Sequence, residues 1–193
     1  MGPAPGPTVT SDAELMRAAQ RGDLAAFARL VRRWQPAMLR FLTRLGGRDA
    51  EAGDLCQELF LKVYQARARY SEQGTFSAWL YRLALNVARD AQRRQRRQPS
   101  LYLDAIDPIQ GEPLDSELTR QEEAGLVSQA LEELPEPMRE VLVLRHYEEM
   151  NFEAMSRLLK VPASTLKSRF AVALVRLKDL LLQRGWDPED EES

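Results

Sequence analysis

Apolar residues recur at intervals of three and four along most of the chain, and no stretch alternates as a half-buried strand would. Ser11-Asp12-Ala13-Glu14 has capping-box spacing and predicts a short first helix. Asp23 can cap a second, whose apolar positions are Phe27, Leu30, Val31, Trp34, Met38, Leu42 and Leu45; Pro36 predicts a kink near Arg32–Trp34. Gly46-Gly47 ends that helix, and Asp49 can cap a third running to about Ala68. A loop over Tyr70–Thr75, containing Gly74, leads to a fourth helix from Phe76 to about Arg97. Pro99–Leu118 has three prolines and many acids and is too polar to bury itself, so it predicts a linker. Helices resume near Thr119–Leu134, break at Pro135-Glu136-Pro137 and continue to about Tyr147. Asn151 can cap a short helix over Phe152–Leu159, and Pro162 with Ser164 suits the start of a last one, to about Arg184.

The predicted fold is therefore all-α, two helical domains joined by an acidic flexible linker. The expected divisions are a disordered tail over 1–10, a first domain over 11–98, the linker over 99–119, a second domain over 120–184 and an acidic tail over 185–193. Charge sharpens this division. The net charge of −2 hides 17 Lys and Arg against 9 Asp and Glu up to Gln98, and 10 against 20 beyond it. A basic front, an acidic connector and an acidic tail fit modules with different tasks. Solubilising charge alone explains the tail but fits the connector less well.

Composition narrows the chemistry. No apolar run approaches the roughly 18 residues that span a bilayer, so membrane insertion is not expected. The uncharged, Gly/Pro-rich start resembles neither a secretory signal nor a transit peptide. A single Cys and a single His argue against an internal disulfide and a zinc site, and no cofactor is expected. Cys56, spaced helically with Leu59 and Val63, reads as a small core residue, and His146 as a surface or helix-end residue. With no Gly-rich phosphate loop and no serine motif, an enzyme is the least favoured class.

Two segments carry recognition chemistry. Phe152–Leu159, a short turn and Ala163–Leu182 have helix-turn-helix proportions. Leu166, Phe170, Ala173, Leu177 and Leu181 form the inward stripe of the last helix. Ser164, Lys167, Ser168 and Ala171 face outward, flanked by Thr165 and Arg169, where hydroxyls and cations reach bases and phosphates. Taken alone, this pattern also fits helical bundles that never touch DNA. In the fourth helix Leu80, Leu83, Ala84, Val87 and Ala91 mark the buried side, while Arg82, Asn86, Arg89, Arg93 and Arg97 form another stripe, flanked by Arg94 and Arg96. Asp90 is spaced to pair with Arg94. A solvated basic face is the plain reading, but Tyr70, Phe76, Trp79 and Tyr81 lie just upstream. Rings beside arginines suit single-stranded DNA, whose bases stack while the cations hold its backbone; some of those rings, Phe76 and Trp79 foremost, are expected to be partly core.

Gly22–Phe27, Asp54–Val63 and Phe76–Asp90 together resemble region 2 of extracytoplasmic-function sigma factors, alternative sigma factors of the sigma-70 superfamily. Ala130–Glu136 and Thr165–Arg169 resemble region 4. The resemblance covers about Ser11–Arg97 and Leu126–Leu182. It implies that the chain binds core RNA polymerase, through the β′ coiled coil and the β flap, and recognises promoter DNA. Asp54, Leu55, Gln57, Glu58 and Phe60 would dock on polymerase. Tyr70, Phe76, Trp79, Arg82, Asn86, Arg89 and Arg93 would open and read the −10 element, with Asn86 near a pocket for a flipped base. Ser164, Thr165, Lys167, Ser168 and Arg169 would read the −35 element. The acidic linker would run through polymerase toward its active centre, and an anti-sigma protein is an expected partner in the cytoplasm.

Two departures stand out. Lys160 occupies a turn position where the family usually has Gly, at a strain of roughly 1–2 kcal/mol if the backbone is left-handed. Val172 and Leu174 stand where the family often has arginines, and Val172 and Val175 lie on the outward face, predicting an unusual or weak −35 contribution. A free-standing helix-turn-helix regulator and an adaptor that binds polymerase without starting transcription remain alternatives.

Overall fold

Ser11 and Glu14 close the predicted capping box: the Ser11 amide donates to the Glu14 carboxylate (2.7 Å), and the Glu14 amide donates back to Ser11 Oγ (3.2 Å). A computed structural model describes residues 10–46, 49–71, 74–97 and 125–186. From this cap runs α1 (Asp12–Gln20). Asp23 caps α2 (Leu24–Arg44) by accepting from the Ala26 amide (2.9 Å). Pro36 does not divide α2, so the kink expected near Arg32–Trp34 does not break the element. The chain leaves α2 through Gly46 at φ +99°, a left-handed position that suits glycine.

Next come α3 (Asp49–Ala66), a 3-10 turn (Arg67–Arg69) and α4 (Phe76–Arg97). The α-helix ends slightly before the expected Ala68, in a well-anchored turn. Arg67 donates to the Tyr64 carbonyl (2.6 Å) and lies over the Tyr64 ring, while the Gln20 amide donates to the carbonyls of Arg67 and Tyr70. Thr75 Oγ1 accepts from the Ala78 amide (3.2 Å) at the start of α4.

The second module comprises α5 (residues 125–133), α6 (Glu136–Leu142) continuing into a π-turn (Val143–Tyr147), α7 (Phe152–Leu159) and α8 (Ala163–Gln183). The described residues contain no strand. Expectations for the tails over 1–9 and 187–193, the linker and a helix start at Thr119 lie outside the described residues.

Leu15, Leu30, Met38, Phe41, Leu59, Leu80 and Leu85 pack between α1, α2, α3 and α4. Unlike two beads on a tether, the modules share this core: Val141, Val143, Leu144 and Met155 join the same cluster. A smaller cluster of Leu131, Leu134, Leu142 and Ala173 belongs to the second module alone. The expected inward stripe of α8 is present, with Leu166, Ala173 and Leu181 buried and Phe170 and Leu177 partly so.

Phe41 is fully buried, and its ring meets Tyr81 edge-on at 4.9 Å. Phe41→Ala should cost about 3–5 kcal/mol, measured by urea unfolding. A loss below about 1 kcal/mol would contradict the packing described, because it would require the site to collapse without a cavity.

Candidate nucleic-acid and polymerase interface

Helix α4 has two faces. Leu80, Ala84, Leu85 and Val87 are buried, while Arg82, Asn86, Arg93, Arg96 and Arg97 are exposed. Arg89, in the middle of the outward stripe, is engaged by the second module. Its Nε and a terminal nitrogen donate to the two Glu140 oxygens (2.6 and 2.8 Å), and Glu136 lies at 3.5 Å. Glu140 raises the Arg89 pKa. Asp90 pairs with Lys62 (3.7 Å) and Arg93 (3.8 Å) rather than with Arg94, because α3 supplies Arg94 with Glu58 at 3.0 Å.

The aromatic cluster is more structural than its composition suggests. Tyr70 meets Trp79 at 5.1 Å and Phe76 at 5.9 Å, and Trp34 closes the group from α2. Tyr70, Phe76 and Tyr81 are buried, and Trp79 is half-buried. Tyr70 and Phe76 are thus largely covered by their neighbours in this conformation, where the sequence suggested rings open to bases. Tyr81 donates to Glu148; burial, then this bond, pushes its phenol pKa up.

On α3, Asp54 and Gln57 are exposed, Glu58 is half-buried, Leu55 packs partly against the core and Phe60 is buried. Phe60 thus lines a groove more than it projects from one. Phe27, Val31, Leu39, Gln57 and Leu61 line the same groove between α2 and α3, of about 450 Å³. Leu61 is 62% exposed and was missed in the sequence, although it lies one turn beyond Gln57 on the same face. Cys56 is buried, as expected, and burial raises its thiol pKa. His146 is exposed.

In the helix-turn-helix, Asn151 caps α7 by accepting from the Ala154 amide (2.8 Å). Lys160 adopts the left-handed conformation (φ 59°, ψ 37°), the strained geometry anticipated for it. Pro162 starts α8, on which Ser164, Thr165, Lys167 and Ser168 are exposed and Arg169 is half-buried. Ser168 Oγ donates to the Ser164 carbonyl (3.2 Å). Farther along, Val172, Leu174 and Val175 are 46%, 45% and 62% exposed, an apolar strip on the outward surface. Among the described residues no cluster of His, Cys, Asp and Glu is placed to hold a metal, and no helix is long and apolar enough to cross a membrane.

Residues 30–98 match sigma-70 region 2, and residues 124–177 match sigma-70 region 4. The chain is 33% identical to the RNA polymerase sigma-H factor of Pseudomonas aeruginosa, covering 84% of this chain and 89% of that protein. It is 30% identical to the ECF RNA polymerase sigma-E factor of Haemophilus influenzae, covering 82% and 89%. CnrH, solved in complex with the cytosolic domain of CnrY, has a TM-score of 0.67 and 25% identity over 94% of this chain and 99% of that one. The sigma factor RpoE, solved with the anti-sigma factor NepR from Bartonella quintana, shares the fold at a TM-score of 0.62 and 24% identity, over 80% and 96% of the two chains. The chain belongs to the sigma-70 family, in its extracytoplasmic-function group. It is an alternative sigma factor, which binds core RNA polymerase and directs transcription initiation at selected promoters; it is not an enzyme.

Replacing Lys160 with Gly should relieve the left-handed strain and stabilise the protein by up to about 1 kcal/mol, read as a raised melting temperature; a lowered one would contradict the strain. Hydrogen bonds from Lys62 and then Arg94 hold the Glu58 carboxyl below its ordinary pKa. A depressed carboxylate adds stability above its unfolded pKa, and that stability is lost as pH falls through the folded value. Glu58→Gln should therefore flatten the acid limb of the stability profile, at a neutral-pH cost below about 1 kcal/mol. An unchanged acid limb in urea unfolding would contradict this.

Proposed function

We propose that the two recognition tasks are divided unequally between the modules. Residues 11–98 carry polymerase docking on α3 and −10 reading on α4, and residues 120–184 carry a reduced −35 contribution on α8. The observation that carries this reading is the contrast between two outward faces: α4 keeps Arg82, Asn86 and Arg93 exposed, whereas α8 turns Val172, Leu174 and Val175 outward beyond Lys167. Cations on the first face suit phosphates, and the exposed Asn86 suits a base edge. The apolar strip offers phosphates nothing, so the contacts proposed on α8 are those of Ser164, Thr165, Lys167, Ser168 and Arg169 in its first two turns, the next exposed cations being Arg176 and Lys178 beyond the strip.

On α3 the docking set is Asp54, Gln57 and Glu58, with Leu61 added and with Leu55 and Phe60 supporting from beneath. Tyr70, Phe76 and Trp79 position the start of α4, and Trp79 keeps a partly open face for DNA. We place the protein in the cytoplasm, where polymerase works. An anti-sigma protein completes the proposed partners: CnrH was solved held by a cytosolic protein domain, and the groove between α2 and α3 is a surface an inhibitor helix could fill.

Run-off transcription with core polymerase on a genomic promoter library tests the division. Asn86→Ala should relax the −10 choice, costing about 1–3 kcal/mol of discrimination at one base pair. Lys167→Ala, or a randomised −35 element, should change promoter use less. A larger loss from Lys167→Ala or from −35 randomisation than from Asn86→Ala would overturn the unequal division.

A further inference from the structure

We propose that a polar cavity between the end of α4 and the second module binds a small zwitterion of the free amino-acid class, its carboxylate held by Arg139 and Arg96 and its ammonium by Gln92 and Glu132. The cavity measures about 240 Å³ and is lined by Gly46, Gln92, Gln95, Arg96, Glu132 and Arg139. Arg139 is only 7% exposed, yet among the described residues it joins no salt bridge. Its two terminal nitrogens donate to the carbonyls of Leu45 (2.9 Å) and Leu134 (3.2 Å), which leaves Nε buried and without a partner. Glycine at position 46 makes this seat possible, since a Cβ there would collide with Nη1 of Arg139. Burial lowers the guanidinium pKa, and the carboxylates of Glu132, Glu136 and Glu140 offset that only in part. Gln92 supplies a second unmet atom. Its Nε2 donates to the Leu45 carbonyl (2.8 Å), which fixes the amide and leaves Oε1 buried and unpartnered.

The cavity therefore presents a buried donor on a cation and a buried acceptor on a neutral amide, and each costs free energy while unmet. Water can satisfy both, and the space exceeds the roughly 30 Å³ of one water several times over. Water brings no charge, however, and a buried guanidinium is best compensated by a negative partner. A bare oxyanion meets Arg139 and the exposed Arg96, but it brings no donor to Gln92 Oε1 and is repelled by the exposed Glu132. A simple cation meets Glu132 and Gln92 and is repelled by two arginines. A carboxylate and an ammonium on one small molecule meet all four groups. Among the described residues neither Arg96 nor Glu132 joins a salt bridge, so both charges are available to a ligand. Gln95, whose amide donates to Glu51 (3.1 Å), is a wall and not a contact. No apolar side chain lines the cavity, so glycine or serine suits it and a large aliphatic or aromatic amino acid does not. The contacts come from α4, α5 and α6 together, so only the folded chain offers the site, and the ligand stabilises that chain by mass action.

The test uses the full chain with serine as the probe, by isothermal titration calorimetry and thermal unfolding. Serine should bind with a Kd of about 1 mM or tighter, within what so small a ligand can reach. The melting temperature should rise with its concentration. Acetate and ethylamine, each carrying one of the two charges, should bind about tenfold more weakly. Arg96→Gln and Glu132→Gln change exposed side chains and should each weaken serine binding by about tenfold, whereas Glu153→Gln on α7 should leave it unchanged. In wild type the protected Arg139 Nε–H resonance should shift as serine is added, a readout that does not depend on any variant's folding. No binding of serine well above that Kd overturns the proposal and leaves water in the cavity. Equal binding by acetate, or tighter binding by inorganic phosphate, overturns the zwitterion. Serine binding that ignores both substitutions, or leaves the Arg139 resonance in place, puts the ligand elsewhere and overturns the site. Neither polymerase nor DNA is present, so the outcome is independent of the promoter-reading assignments.

Discussion

Helix α4 must bury Leu80, Ala84, Leu85 and Val87 against its neighbours while holding a row of arginines in water, and the other elements are arranged around that demand. The buried face anchors it to α2 and α3, so the basic face has a fixed direction and not merely a composition. The aromatic cluster of Trp34, Tyr70, Phe76 and Trp79 fixes its first turn, and Thr75 caps it. Ion pairs from Glu58 and Lys62 on α3 reach Arg94 and Asp90, setting the far half of the helix in register with α3. A rigid helix carrying both cations and an amide is the kind of element on which base recognition depends.

That same division shapes the second module. Its α6 supplies apolar residues to the shared core and carboxylates to the basic face, so the modules meet through complementary charge above and hydrophobic contact below. Packing of this kind is directional, because a bidentate arginine fixes orientation in a way apolar contact does not. The helix-turn-helix is part of the same unit, with Met155 and Leu158 of α7 and Leu166 of α8 in the shared core and Lys160 held left-handed at the turn.

Much of this was legible in the sequence wherever the physics is local. The caps at Ser11, Asp23 and Asn151 follow from hydroxyl, carboxylate and amide chemistry within three residues. The burial of Cys56 and the outward placement of Val172 and Val175 follow from helical spacing, whereas the strain at Lys160 followed from the resemblance to a family that usually has Gly there. What the sequence hid is non-local. Arg89 and Glu140 lie 51 positions apart, and no periodicity records that they meet. Asp90 and Arg94 are ideally spaced to pair, yet α3 offers each a partner from another helix. Tyr70 and Phe76 sit beside arginines in the sequence, a pattern equally compatible with a base-stacking surface and with a core; their burial comes from packing against one another and Trp79, and for Phe76 against Trp34 of α2. Leu61 escaped notice because a single exposed apolar residue is ordinary until a groove forms beside it.

In the proposed division of tasks, α4 directs polymerase to open the −10 region of a promoter. Permanganate footprinting of a cognate promoter with core polymerase tests it most directly, since unpaired thymines become reactive. The account predicts reactive −10 thymines when wild-type protein is added, and a marked loss of that reactivity with Asn86→Ala despite retained polymerase binding. Equal reactivity for the two proteins, or none with wild type, would contradict it.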